Sequence, residues 1–232
     1  MLNTKKTIQI KGCEHIAYKQ DFVYTEEEML NRSTAYYEWL DKRRSIRTFS
    51  NKPVSKIVIE NLILSASTAP SGAHKQPWTF CAVSNTELKA KIRAEAEAEE
   101  KKSYETRMNR RWKNDLKPLA TGMQKPFLEI APWLIIAFKK TYDLDEKGKK
   151  YTNYYVNESI GIACGMLITA IHNAGLVTLT YTPSPMNFLT ILLKRPSNER
   201  AYLLFPVGYA DEKIFVPNIA RKRLDEVSSF YE

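Results

Sequence analysis

The sequence predicts an α+β fold in which helices pack against a mixed, mostly antiparallel sheet. Three observations carry the prediction. Helical and strand-like segments are mixed along the chain, helices outnumber strands, and the run from Glu158 to Ala174 is apolar nearly all round, as a central buried helix must be. With 232 residues, 44% of them hydrophobic, the chain can fill a sizeable core, and no repeat or low-complexity segment divides it, so a single compact domain is expected.

The elements follow in order. Residues 1–24 mix polar and aromatic residues with weak periodicity and read as an extended arm that wraps a partner subunit or lies on its own surface. Thr25 and Glu28 have capping-box spacing and open a helix through about Leu40, with Met29, Leu30, Tyr37 and Leu40 available to the core. A basic turn from Lys42 to Arg47 follows. Pro53 and Ser55 introduce a second helix, in which Ile59, Leu62, Ile63 and Ala66 recur at helical spacing until Pro70. Pro70 to His74 is a loop, Trp78 to Val83 a strand, and Thr86 to about Asn114 one long charged helix whose AEAEAEEKK run reads as a solvated face. Trp133 to Phe138 is a buried strand. The apolar helix ends before a capping Gly175, and Leu176–Thr180 and Tyr202–Val207 supply two more strands.

Composition narrows the partners. A formal charge of +9, from 35 Lys and Arg against 26 Asp and Glu, favours an anion: nucleic acid, a membrane surface or a phosphorylated cofactor. The basic residues are dispersed among acids and no aromatic-basic RNA motif or zinc-finger spacing is present, which argues against nucleic acid. Cys13, Cys81 and Cys164 are widely spaced and do not cluster with His15, His74 or His172, so neither a disulfide framework nor a metal site is expected. No secretory h-region and no apolar span of about 18 residues occurs, which predicts a soluble, cytoplasmic protein without a membrane partner.

Neither GxGxxG nor GxxxxGK[ST] is present, so a nucleotide cofactor would need arginines for its phosphate. Arg43, Arg44, Ser45 and Arg47 offer three guanidinium forks and a hydroxyl within five residues, although taken alone they also read as a basic surface turn. Glu100 and Tyr104 stand at i, i+4, presenting a carboxylate and a phenol on one helix face, and Lys125 lies beyond a turn containing Pro118 and Gly122. Alone, these three read as a surface pair and an unrelated lysine.

Taken together, RRSIRTFS at 43–50, TAPSGAHKQPWTF at 68–80, IACGMLITAIHNAGLVTLTYTP at 162–183 and PVGY at 206–209 resemble the iodotyrosine deiodinase family of the nitroreductase superfamily, over roughly residues 30–228. The resemblance implies a nitroreductase-like, domain-swapped homodimer that binds FMN, with an arm at 1–24, the FMN-binding domain at 25–232 and an active-site lid at about 95–128. It implies that Arg43, Arg44, Ser45, Arg47 and Arg221 hold the FMN phosphate and ribityl chain, and that Pro70 and Ser71 reach the cofactor across the dimer interface. Thr180, Tyr181 and Thr182 would lie along the isoalloxazine. Tyr181 stands where relatives commonly have a third threonine, so what carries over there is the backbone contact.

The same resemblance implies the chemistry. Glu100, Tyr104 and Lys125 would clamp the amino acid zwitterion of a halogenated tyrosine, the Ala73 N–H would meet its phenolate, and Thr182 would hydrogen-bond flavin N5 and favour one-electron steps. The activity implied is FMN-dependent reductive dehalogenation, with an unidentified electron donor, NAD(P)H directly or through a reductase. A generic NAD(P)H-dependent nitro or quinone reductase of the same fold is the alternative. Retention of Glu100, Tyr104, Lys125 and Thr182 argues against it.

Overall fold

The structure, a computed structural model, describes residues 7–20 and 22–232. Two compact units divide the chain, Met1–Arg43 and Arg44–Glu232.

In the first unit, strands β1 (Thr7–Ile10) and β2 (Cys13–Ile16) pair antiparallel. The part of the expected arm before Thr7 lies outside the described residues. The rest is not simply extended: Lys11 and Gly12 take φ of 51° and 79° and close a two-residue hairpin turn, a conformation glycine adopts freely. Helix α1 (Glu26–Asp41) begins as expected, with a reciprocal capping box between Thr25 and Glu28. Its apolar residues, however, are not in a core, since no residue of α1 is buried. Two short strands and one helix are too little chain to enclose a core of their own.

The second unit runs α2 (Lys56–Ser67), β3 (Trp78–Val83), α3 (Thr86–Lys102), α4 (Arg110–Leu116), α5 (Phe127–Ile130), β4 (Trp133–Lys140), β5 (Tyr142–Leu144), β6 (Lys150–Thr152), α6 (Val156–Asn173), β7 (Val177–Thr178), α7 (Asn187–Leu192) and β8 (Glu199–Gly208). Its main sheet has the order β3-β4-β8-β7, every neighbour antiparallel, and a single parallel bridge joins Ser45 to Thr178. The apolar run of β4 follows from its central place. Side chains alternate across the sheet, so Ile135 and Ala137, with Phe205 and Val207 of β8, pack under α2 and α6. Leu134, Ile136 and Phe138, with Leu204, pack against α3, α5 and α7 on the other face. A strand covered on both faces has no polar side to show.

Several expectations need correction. The helix expected over residues 86–114 breaks after Lys102. Residues Ser103–Arg107 wind into a π turn closed by the Met108 amide on the Ser103 carbonyl at 2.8 Å, Met108 is extended, and the Asn109 side chain accepts the Trp112 amide to start α4. An asparagine cap inside the charged run outcompetes helix continuation. Helix α6 buries one stripe, Ile160, Ala163, Cys164, Leu167 and Ile171, rather than its whole circumference, and Ile162 is 47% exposed. Its C-terminus is as expected: Gly175, at φ 71°, donates to His172, and Leu176 donates to Ile171, satisfying the last carbonyls. The strand expected over 176–180 is regular for two residues only, and the β5–β6 hairpin, α5 and α7 were not foreseen.

Candidate active site

The site gathers where the sheet ends, the basic segment and the broken helix converge. The Ile46 amide donates to the Thr178 carbonyl at 3.1 Å, which fixes Ser45 and Arg47 beside β7 with the buried Ile46 between them. Three residues on, Tyr181 exchanges both backbone hydrogen bonds with Leu204 of β8, at 2.9 and 3.0 Å. Along this extended stretch Tyr181 is buried, while Thr180 and Thr182 are exposed. The break after α3 turns Tyr104 and Arg107 toward the same place.

These elements enclose one cavity of about 470 Å³. Arg47, Glu100, Tyr104, Lys125, Thr180, Tyr181 and Thr182, chosen from sequence, all line it. Glu100 and Lys125, 25 positions apart, form an ion pair at 3.6 Å with both side chains nearly buried. Lys125 Nζ also donates to Thr121 Oγ1 at 3.2 Å, and the Tyr104 hydroxyl donates to the Thr121 carbonyl at 3.0 Å. Burial pulls the Lys125 pKa below its ordinary value, with Glu100 opposing, and burial together with the Glu100 carboxylate pushes Tyr104 up. Both phenol and lysine therefore sit in a partly desolvated place where a charge partner counts for more than in water.

Arg47 is half-buried and burial lowers its pKa, yet it has no hydrogen bond or ion pair among the described residues. A desolvated guanidinium without an anion, opening on a cavity, suits an anionic ligand. Arg44 donates to the Pro217 carbonyl and so ties the basic segment to the C-terminal stretch that carries Arg221. Arg44, Ser45, Pro70, Ser71, Ala73 and Arg221 do not line the cavity. Arg43 closes the N-terminal unit and is partly buried there.

The 70–76 loop is built for close approach. Gly72 has no room for a side chain, because a Cβ there would come within 2.9 Å of the Tyr155 ring. Ala73, His74 and Gln76 all hold positive φ, between 45° and 55°, which strains non-glycine residues. The exposed Ala73 amide has no acceptor among the described residues.

Sequence reasoning missed Arg107, Glu97 and the apolar lining. Arg107 Nη1 donates to Glu99 at 2.8 Å and to the Ser184 carbonyl at 3.0 Å, linking the π turn to the stretch after Thr182. Glu97 accepts the Lys125 amide at 2.6 Å and Arg93 at 2.7 Å; burial would raise its pKa, but these donors outweigh it. Trp112, Leu116, Leu119 and Phe127 give the cavity an apolar wall. The only sequence signals were the i, i+4 spacings of Arg93 to Glu97 and Ser103 to Arg107 inside a run that looks like solvated helix. Among the described residues no group of His, Cys, Asp or Glu could hold a metal ion, and no helix is long and apolar enough to cross a membrane.

Comparison with known proteins gives consistent results. Residues 40–209 match the nitroreductase family. The iodotyrosine deiodinase of Haliscomenobacter hydrossis is 57% identical over 199 residues, 86% of this chain and 90% of that one. Iodotyrosine deiodinase 1 of Homo sapiens is 46% identical over 218 residues, 94% of this chain and 75% of that one. A crystal structure of oxidised iodotyrosine deiodinase bound to FMN and 3-iodo-L-tyrosine superposes with a TM-score of 0.69 and 30% identity, covering 84% of this chain and 99% of that one.

Proposed function

Because the chain belongs to the nitroreductase family, and within it to the iodotyrosine deiodinases, we propose that it removes halogen reductively from halogenated tyrosines, with FMN as its cofactor. The observation that carries this reading is the cavity in which Glu100, Lys125 and Tyr104 stand together beside Thr180–Thr182 and an anion-free Arg47. A generic reductase of the same fold has no use for a carboxylate, an ammonium and a phenol gathered in one cavity.

An aryl carbon–halogen bond resists displacement because the ring blocks backside attack, and FMN, when bound, supplies the electrons such a bond requires. The protein's residues do the rest. Arg47, with Arg44, Ser45 and Arg221, would hold the cofactor's phosphate and ribityl chain, and the backbone of Thr180 and Tyr181 would lie beside its ring. With FMN bound, Thr182 would offer its hydroxyl to flavin N5, where a donor favours one-electron chemistry. Glu100 takes the substrate ammonium, Lys125 its carboxylate, and Tyr104 donates between them as a neutral phenol. Trp112, Leu116 and Leu119 exclude water over the ring, so the residues around 95–128 act as a lid that the amino acid group closes.

Pro70, Ser71 and Ala73 belong to the same reading through a second subunit. The Ala73 amide would meet the substrate phenolate, and Pro70 and Ser71 would reach the partner's cofactor in an obligate homodimer. Supporting this are the exposure of that strained loop and the many exposed apolar residues of the first unit, among them Met29, Leu30 and Tyr37. An unidentified electron donor, NAD(P)H directly or through a reductase, would reduce the cofactor, and the reading has the protein work in solution in the cytoplasm. The test is titration of the FMN-loaded protein with iodotyrosine and with tyrosine. Iodotyrosine should bind more tightly, and more so as pH rises through its phenol pKa, because an ortho halogen favours the phenolate. Equal, weak binding of both would leave the generic reductase as the better account.

A further inference from the structure

The buried hydroxyl of Tyr181 is the group the site leaves unexplained. Tyr181 is 7% exposed, and its hydroxyl has no hydrogen-bond partner among the described residues. A stranded buried hydroxyl is costly, and natural structures keep few of them. Its ring cannot easily move away. The backbone is pinned to Leu204, the Phe127 ring meets it edge-on at 5.5 Å and 90°, and Lys125 Nζ stands 5.5 Å from its centroid.

Glu100 is the acceptor nearest in effect: its carboxylate acts on the Tyr181 phenol both by charge and as a side-chain hydrogen-bond partner, although the two stop short of full hydrogen-bond geometry. Glu97 and Tyr104 act on Tyr181 by charge alone. Glu97 already accepts the Lys125 amide and Arg93 on one oxygen, and the Tyr104 hydroxyl donates to the Thr121 carbonyl. Glu100 pairs with Lys125 at 3.6 Å. A carboxylate has about four lone-pair sites, so Glu100 can accept another donor. Burial and the nearby carboxylates push the Tyr181 pKa well up, which keeps its phenol a neutral donor.

We infer that Tyr181 is a positioning residue for substrate recognition, whose hydroxyl holds the Glu100 carboxylate toward the substrate ammonium once the substrate carboxylate has drawn Lys125 away. The inference rests on the deiodinase reading. In it the Glu100–Lys125 pair occupies the place of the zwitterion, each partner standing in for one end of the amino acid. When the zwitterion arrives, Glu100 exchanges one cation for another and needs a second donor to fix its direction. The buried Tyr181 hydroxyl, without a hydrogen-bond partner among the described residues, is that donor.

The test compares the FMN-loaded parent with Tyr181→Phe, which keeps the ring, its contact with Phe127 and the cation above it. Two ligands are titrated by flavin absorbance, iodotyrosine and its deamino analogue, an iodinated hydroxyphenylpropanoate that has no ammonium. Iodotyrosine should bind the variant about tenfold more weakly, as for a lost hydrogen bond to a charged group, while the deamino analogue binds both proteins alike. In a Glu100→Gln background the same change should add little further loss. Equal iodotyrosine binding by parent and variant, or equal weakening of both ligands, would overturn the inference alone. A parent that takes up FMN but ignores iodotyrosine would overturn the deiodinase reading and this inference with it.

Discussion

Strand β4 and the segment from Ser103 to Lys125 belong to the same unit but are held in place by different physics. Leu134 to Phe138 are fully buried, covered by helices on both faces and paired along both edges with β3 and β8. The segment 103–125 is attached by polar contacts, Lys125 to Glu97 and Glu100 and Arg107 to Glu99 and Ser184, and is braced within itself by Tyr104 on Thr121. Trp112 and Met123 on it remain substantially exposed. Burial of many apolar groups is cooperative and hard to undo locally, whereas a handful of polar ties can open without unfolding the sheet. In the proposed reading, those two kinds of attachment suit a platform and the lid over it.

The difference is sharpest in the response to truncation. Phe138→Ala should cost about 3–5 kcal/mol of global stability, from lost burial and the cavity left behind, seen as a lower denaturant midpoint with an unchanged slope. Substitutions confined to the lid should fall well short of that. If Trp112→Ala lowers the midpoint as much, the lid is part of the cooperative core and the contrast fails.

The lid should answer instead in ligand affinity. Glu100→Gln or Lys125→Ala should each cost about 2–5 kcal/mol in iodotyrosine binding, because truncation strands the other charge under a closed lid. Halogenated phenols without the amino acid group should scarcely notice. Iodotyrosine affinity equal to the parent's in both variants would remove the clamp from the site.

The same contrast explains what the sequence revealed. The sandwiched sheet was legible because covering both faces of β4 demands a continuous apolar run, and the helix α6 because glycine after an apolar stripe is a physical stop. Arg43 to Arg47 and Lys125 became meaningful only through resemblance, since nothing local distinguishes a phosphate-holding arginine or a clamp lysine from a solvated one. The break at residues 103–109 was missed because a charged, alanine-rich run has high helix propensity throughout, and one asparagine cap decides against it. The exposed face of α1 was misread because amphipathic spacing tells that a face will be covered, not by which chain.

Acid should separate core polar contacts from lid ones. Glu199 is buried, accepting Arg195 at 2.7 Å and Thr79 at 2.7 Å, and although burial would raise its pKa these donors hold it below the ordinary 4.5. A depressed folded pKa means that Glu199 contributes stability above pH 4.5, lost as pH falls through its folded value. Glu199→Gln should therefore be less stable than the parent at neutral pH, with the gap narrowing below pH 4.5 in denaturant titrations. A gap that stays constant into acid would show that packing, not charge, sets the effect.

Arg107 offers the smallest and most discriminating change. Its guanidinium bridges Glu99 on α3 to the Ser184 carbonyl, two residues past Thr182, so it ties the proposed lid to the Thr180–Thr182 side of the cavity. The side chain is 41% exposed, and a pair so accessible contributes about 0.2–1 kcal/mol. Arg107→Met keeps the stem but removes both donors. Global stability should move by less than about 0.5 kcal/mol, as for a surface substitution. Limited proteolysis at the basic residues Arg110 to Lys117 should nevertheless accelerate about two- to fivefold, since cleavage tracks the open population and each 1.4 kcal/mol is tenfold. Bound iodotyrosine should suppress that difference, because the clamp of Glu100, Tyr104 and Lys125 then holds the lid without Arg107. If the variant is cleaved at the parent's rate, Arg107 is not a tie, and the lid depends on its apolar wall much as β4 depends on its neighbours.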